Sequence, residues 1–305
     1  MAVYTPATSG AAARRAVLAT SGRSKERTPQ SVVFVALLWL SLLVGFITLS
    51  ALLIHTFVDG GARLDGRLFT EYPSSLPEEA GARPAILGSL WVIATTAVLV
   101  IPVGVAAAVH LEEFADRHTA MNRLIEINIS NLSAVPSITY GMLALGTLAL
   151  FGVQQKNVVI GGALALALLI LPVVIISTRE ALRAVPRDLR DGSLAIGATP
   201  LQTTWRITLP AALPGIATGT ILGLSRALGE AAPLLLLGAL VFLRFDPNGM
   251  LSQFTTMPIQ IFAWTGRPQD EFHTLAAAAS ILLMAMVLVM NGAAIFIRNR
   301  YQKRW

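Results

Sequence analysis

Arg226 and Glu230 lie inside an apolar run covering about residues 211–243, and their side chains are the chemistry this sequence must explain first. An arginine at the centre of a membrane span costs about 2.5–3.5 kcal/mol even on the lenient insertion scale. A charge kept at that cost either meets an anion in a polar path or pairs with an acid to fix helix packing. The two residues are four apart, so on a continuous helix they share a face and partly neutralise each other. A guanidinium presents a planar fork that suits the oxygens of an oxyanion. A carboxylate beside it weakens that grip, and keeps the arginine partnered while the site is empty. One position over, Gly215, Gly219, Gly223, Ala227 and Ala231 repeat every four residues. Such a small-residue stripe lets a neighbouring backbone approach closely. The pair is thus expected at the edge of a tight helix contact, where a bundle interior or a pore would lie. It is read as the only pair of charges within any span.

A second group is polar without charge. Ser133, Ser137, Thr139 and Tyr140 open an otherwise apolar stretch. Hydroxyls at this density either line a hydrated path or cross-bond helices, at about 0.6 kcal/mol each. Other chemistry is missing. The chain has no cysteine, which removes thiolate metal sites and cysteine nucleophiles. His55, His110, His118 and His273 are too scattered for a metal site. Neither H-E-x-x-H nor G-x-S-x-G occurs, and no catalytic residues are assigned. No G-x-x-x-x-G-K-[ST] loop exists, so any ATP is hydrolysed on another chain.

The elements that must position these residues are membrane spans. Of 305 residues 54% are hydrophobic and only 13% charged, against about 25% charged in soluble domains. Six spans are expected, at about 32–58, 85–110, 125–153, 158–178, 211–243 and 274–297. Residues 1–31 are expected to form a disordered cytoplasmic tail, and 32–305 the membrane domain. Six spans place both termini on one side. The tail, the 111–123 and 179–208 segments and the C-terminus hold sixteen Lys and Arg, including Lys303 and Arg304, and the other side holds six. The positive-inside rule then puts both termini in the cytoplasm. The net charge of +6 is read as topology facing membrane lipids, with no nucleic-acid partner. Spans two to five each contain proline (Pro102, Pro136, Pro172, and Pro214 with Pro233), which argues for a kinked, packed core of those four. The commoner use of proline in membrane helices is the alternative.

Residues 187–208 form a basic cytoplasmic segment. Gly197 suits the left-handed end of one short helix. Thr199 suits the cap of a second, with Pro200 at its first position. Two short helices across the membrane surface are expected, with Leu201 and Trp205 on one face. An ordinary interfacial amphipathic helix is the alternative.

At this point the chain resembles the permease subunits of bacterial ABC importers. Their cytoplasmic signature runs Glu-Ala-Ala, three residues, Gly, nine residues, Ile-x-Leu-Pro. Here Asp191, Gly192 and Ser193 stand at the Glu-Ala-Ala positions, followed by Leu194, Gly197, Ala198, Thr199 and the Ile207–Pro210 stretch. Asp191 keeps the carboxylate with a shorter reach. The resemblance implies that this segment is a coupling helix docking on an ATPase subunit. Asn131 to Gly141 resembles the Pro-Ser-Ile-x-Tyr-Gly stretch of phosphate importer permeases. Ser225 to Pro233 resembles their Arg-x-x-Gly-Glu segment, and Thr256 to Arg300 the A-type permease of the Pst system.

The resemblance implies an all-α membrane protein with the six-helix ABC importer permease fold. It further implies a sister permease, two copies of an ATPase that hold the ATP and Mg, and an extracytoplasmic phosphate-binding protein. This chain itself would bind no cofactor or metal. Residues 254–264 would touch the binding protein, or else anchor at the interface. A permease for sulfate or molybdate is the alternative within this class. A secondary carrier would want an acid titrating alone and internal repeats. A membrane enzyme would want a nucleophile with a base, which is not found.

Overall fold

The computed structural model describes residues 29–116, 119–239 and 242–301. The expected tail falls almost wholly outside these, as do Lys303 and Arg304. Apart from one antiparallel bridge between Val158 and Gln253, the described secondary structure is helical. Contacts divide the chain at Ile54 and His55. The amino-terminal unit is most of helix α1 (Pro29–Gly60), whose apolar side chains are exposed along its length.

The second unit is built on two long helices. Helix α3 (Arg83–Val109) follows the short α2 (Gly66–Thr70), and α6 (Val159–Arg183) follows α4 (Ala120–Leu132) and α5 (Ser137–Leu150). Helices α3 and α6 meet where side chains are smallest. A Cβ on Gly104 would sit 2.8 Å from Val174, and Thr96 donates to the Ala163 carbonyl at 3.4 Å. Helix α9 (Leu209–Leu228) packs on α6 through the small-residue stripe. A Cβ on Gly215 would meet Ala181, one on Gly219 would meet Ser177 at 2.1 Å, and Gly223 lies on Val174 and Ile170. Each four-residue step along α9 thus meets a step of three or four along α6. This is the close approach the spacing predicts. Pro102, Pro172 and Pro214 all fall inside helices of this packed core.

Four expected spans are corrected. The 125–153 span is two helices, α4 and α5, bent by 112° across Ser133–Pro136. Pro136 cannot donate a backbone hydrogen bond and disfavours helix in the residue before it. The 211–243 span ends at Leu228; Gly229, Glu230 and Ala231 break it before α10 (Ala232–Leu236), with Pro233 near the new start. The 158–178 span continues to Arg183, and α3 runs on through a π-helical turn (His110–Phe114), so residues 111–114 are helix rather than loop.

The two polar segments at 59–83 and 244–272 form one packed cap. Leu68, Ala80, Ala82 and Ala85 bury against Met257 and Trp264 of α11 (Met257–Thr265) and against Phe272 and Leu275 of α12 (Asp270–Tyr301). Arg83 clamps Asp246 with two hydrogen bonds, 3.2 and 2.6 Å long. Residues 254–264 are therefore mostly core. Phe254, Met257, Ile259 and Trp264 are buried, and only Phe262 among their large apolar side chains is well exposed, at 61%.

Gly88 is the tightest joint of the cap, since a Cβ there would lie 2.0 Å from the Thr255 carbonyl oxygen. Gly88→Ala is expected to lower the thermal stability of the detergent-solubilised protein by about 1–3 kcal/mol or more, as overpacking does. Gly146→Ala, where nothing lies within 4 Å, is the control. It should be neutral or slightly stabilising, because alanine favours helix.

Candidate functional site: two facing helix breaks and a cytoplasmic ion-pair cluster

The two breaks in the core lie together. A Cβ on Gly141, in the second turn of α5, would sit 2.6 Å from the Pro233 carbonyl in α10, so the backbones after the two breaks touch. Tyr140 is buried and donates from its hydroxyl to the Leu132 carbonyl at 2.5 Å, bracing the first break from α5 back to α4. Ser133 and Thr139 donate to the Ser130 and Pro136 carbonyls, each at 2.6 Å. Ser137 sits half-buried at the start of α5. The expected hydroxyl row is thus gathered at one bend, with three of its members hydrogen-bonded to backbone carbonyls there.

The second break carries the charges. Arg226 lies in the last turn of α9, where a cation complements the helix dipole. Glu230 falls beyond the helix end, so the shared helical face expected from the spacing is corrected. Its amide closes the turn by donating to Ala227 at 3.2 Å, which still brings the carboxylate to 3.7 Å from the Arg226 Nε. That separation is an ion pair without a hydrogen bond. Among the described residues nothing hydrogen-bonds the fork of Arg226, whose side chain is 54% exposed, against 21% for Glu230. Beside Arg226, Ser225 bonds Asn291 of α12 and the Ile221 carbonyl, fixing this turn on two sides.

The cytoplasmic segment matches its expected corner. Helix α7 (Arg187–Ala195) ends at Gly197 with φ of 89°, which favours glycine. Thr199 then caps α8 (Pro200–Thr203) in a reciprocal capping box with Gln202. The second helix is not a separate short one. A π-helical turn (Thr204–Thr208) joins α8 to α9, and residues 200–228 run as one helix. The Ser193 and Thr203 hydroxyls, 2.9 Å apart, close the corner. Asp191, Gly192 and Leu194 are exposed, as are Leu201 and Trp205, and Ile196 is 87% exposed. Nothing lies within 4 Å of a Cβ at Gly192, so that glycine serves no packing within the chain. Thr199→Ala should remove about 1 kcal/mol of local stability. Faster hydrogen exchange at the Gln202 amide would register it.

The sequence reading missed a buried ionic cluster. Arg179, 8% exposed in α6, bonds Glu112 at 3.3 Å and also Glu126 of α4. Arg183 bonds the other Glu112 oxygen at 2.9 Å. Arg190 of α7 bonds Glu113 at 2.8 Å and the Leu182 and Val185 carbonyls. Arg226 and Glu230 are therefore not the only charges within the long helices. A partial signal was present: arginines at 179 and 183 share a helix face, Glu112 lies just past one expected span, and Glu126 just inside another.

Among the described residues five helices, or six if the bent pair is one span, are long and apolar enough to cross a membrane, which makes this a multi-pass membrane protein. The chain belongs to the family described as the binding-protein-dependent transport system inner membrane component, which matches residues 100–303. This is a family of transporter membrane subunits, not of enzymes.

A probable ABC transporter permease protein of Bacillus subtilis, YqgI, is 31% identical over 82% of this chain and 88% of the relative. The phosphate transport system permease protein PstA 1 of Mycobacterium tuberculosis is 34% identical over 73% of each. The PstA protein of Pasteurella multocida is 29% identical over 87% of this chain and 93% of its own. The fold is also that of a chain in a bacterial alginate ABC transporter, with a TM-score of 0.66 over 92% of this chain and 99% of that one, at 16% identity. A chain of the methionine ABC transporter MetNI matches with a TM-score of 0.55 over 71% and 95%, at 21% identity.

Proposed function

We propose that this chain is the permease subunit of an ATP-driven importer that carries inorganic phosphate across the cytoplasmic membrane into the cell. The observation that carries the chemistry is Arg226. Its fork is exposed, held near an acid without being hydrogen-bonded to it, and set where two helix breaks meet. Phosphate, rather than sulfate or molybdate, is supported by the naming of the relatives, several of which are phosphate transport permeases.

In this reading the phosphate passes the breaks between α4 and α5 and between α9 and α10. Arg226 takes its charge, Glu230 limits the grip, and Ser133, Ser137, Thr139 and Tyr140 line or brace the passage. Asp191, Gly192, Ser193, Leu194, Gly197, Ala198 and Thr199 form the knuckle that meets the ATPase. The working assembly contains a sister permease, two ATPase copies holding ATP and Mg, and an extracytoplasmic phosphate-binding protein. Both termini face the cytoplasm, and this chain binds no cofactor of its own.

Co-purification with an ATPase and a second permease, followed by vesicle uptake, tests the reading. Labelled phosphate should enter only with ATP, and unlabelled sulfate or molybdate should compete poorly. Uptake that persists without ATP would favour an ion-coupled carrier. Full competition by sulfate would move the substrate to another oxyanion.

A further inference from the structure

On the side of α9 turned away from Arg226 runs a groove of about 520 Å³, lined by Ile101 of α3, Leu213, Ile216, Ala217 and Leu224 of α9 and Ala294 of α12. At the helical angle per residue, Ala217 and Leu224 point about 160–180° from Arg226. The groove is therefore not part of the passage proposed above. Its lining is apolar except for Thr220, whose hydroxyl is turned back to the Ile216 carbonyl, and Arg298.

The Arg298 guanidinium is oriented by neutral partners. It donates to the Thr218 hydroxyl at 2.8 Å and to the Asn299 side-chain oxygen at 3.2 and 3.0 Å. No described carboxylate pairs with it. Two more arginines near the same end of these helices are exposed: Arg300 on α12, and Arg206 in the turn that precedes α9. A fixed, unmatched cation at the mouth of an apolar slot is complementary to a molecule with a hydrocarbon tail and an anionic head.

We infer that this groove binds an anionic phospholipid of the leaflet next to the coupling segment, its phosphate on Arg298 and an acyl chain along α9. A transmembrane helix from another subunit would match Arg298 only if it carried an acid at that level. A path between two permeases also puts the Arg226 face, not this one, at their contact. That last point rests on the proposed function.

Native mass spectrometry of the assembled complex, with phosphatidylglycerol or phosphatidylcholine of the same chains added, tests the site. The wild type should retain phosphatidylglycerol about five-fold better, the factor one arginine contributes at an anionic surface. Arg298→Gln should erase that preference, and Ala217→Trp, which fills the slot, should reduce retention of both lipids. Equal retention by the wild type, or an undiminished preference in Arg298→Gln, would overturn the inference. So would efficient disulfide crosslinking of Ala217→Cys to a cysteine placed in the sister permease. Lipid retention is read without transport, so its outcome stands whichever oxyanion the complex carries.

Discussion

Arg226→Gln is expected to cut phosphate uptake by roughly 10- to 100-fold while the complex still assembles, the range set by losing a hydrogen bond to a charged group at about 1.5–3 kcal/mol. Glutamine keeps the length and some hydrogen bonding of the side chain but not its charge or fork. The side chain packs little within the chain, being more than half exposed, so its loss should not unfold the subunit. Glu230→Gln should act in the opposite sense on binding. Without the counter-charge 3.7 Å away, the anion is held harder, and apparent KM and maximal rate should fall together. Uptake by Arg226→Gln equal to the wild type, in vesicles with matched amounts of complex, would leave the pair as a packing device.

The second large effect falls at the cytoplasmic end. Glu112 is buried and faces Arg179 and Arg183 with its two oxygens. Removing it as Glu112→Ala strands the buried Arg179 with only the half-exposed Glu126, and breaking a buried pair costs about 3–5 kcal/mol. The expected result is poor accumulation and a much lowered melting temperature of the purified subunit. Replacing both partners, as Glu112→Leu with Arg179→Met, should restore most of the stability, since an apolar pair of similar volume can match a buried ion pair. The remaining Arg183 and Glu126 side chains, 49% and 40% exposed, can turn to water. A single variant as stable as the wild type would refute this assignment.

What the sequence disclosed follows from the range of each signal. The stripe at Gly215, Gly219 and Gly223 is a local period, and the structure sets it on α6 as that period demands. The corner at Gly197 and Thr199 is spelled by neighbouring residues, and both its positive φ and its capping box appear. Hydropathy, by contrast, sums over a window and does not see a bend. Residues 125–153 and 211–243 average as apolar, although Pro136 and the Gly229–Pro233 stretch break their helices. The Glu112–Arg179 cluster joins residues 67 positions apart: the spacing of 179 and 183 marks its basic face, but no local pattern supplies the acids that meet it. The cap core was hidden for the same reason: residues near 68 and 264 meet only after the chain folds.

The central claim is that Arg226 faces an aqueous path during the transport cycle. The chain contains no cysteine, so Arg226→Cys places a single reporter in this subunit. The most direct measurement is labelling of that variant, in the assembled complex, by a charged membrane-impermeant thiol reagent with and without trapped ATP. Labelling in at least one of the two states, slowed by phosphate, is the predicted result. No labelling in either state would place the side chain in lipid or sealed between helices, and would contradict the account.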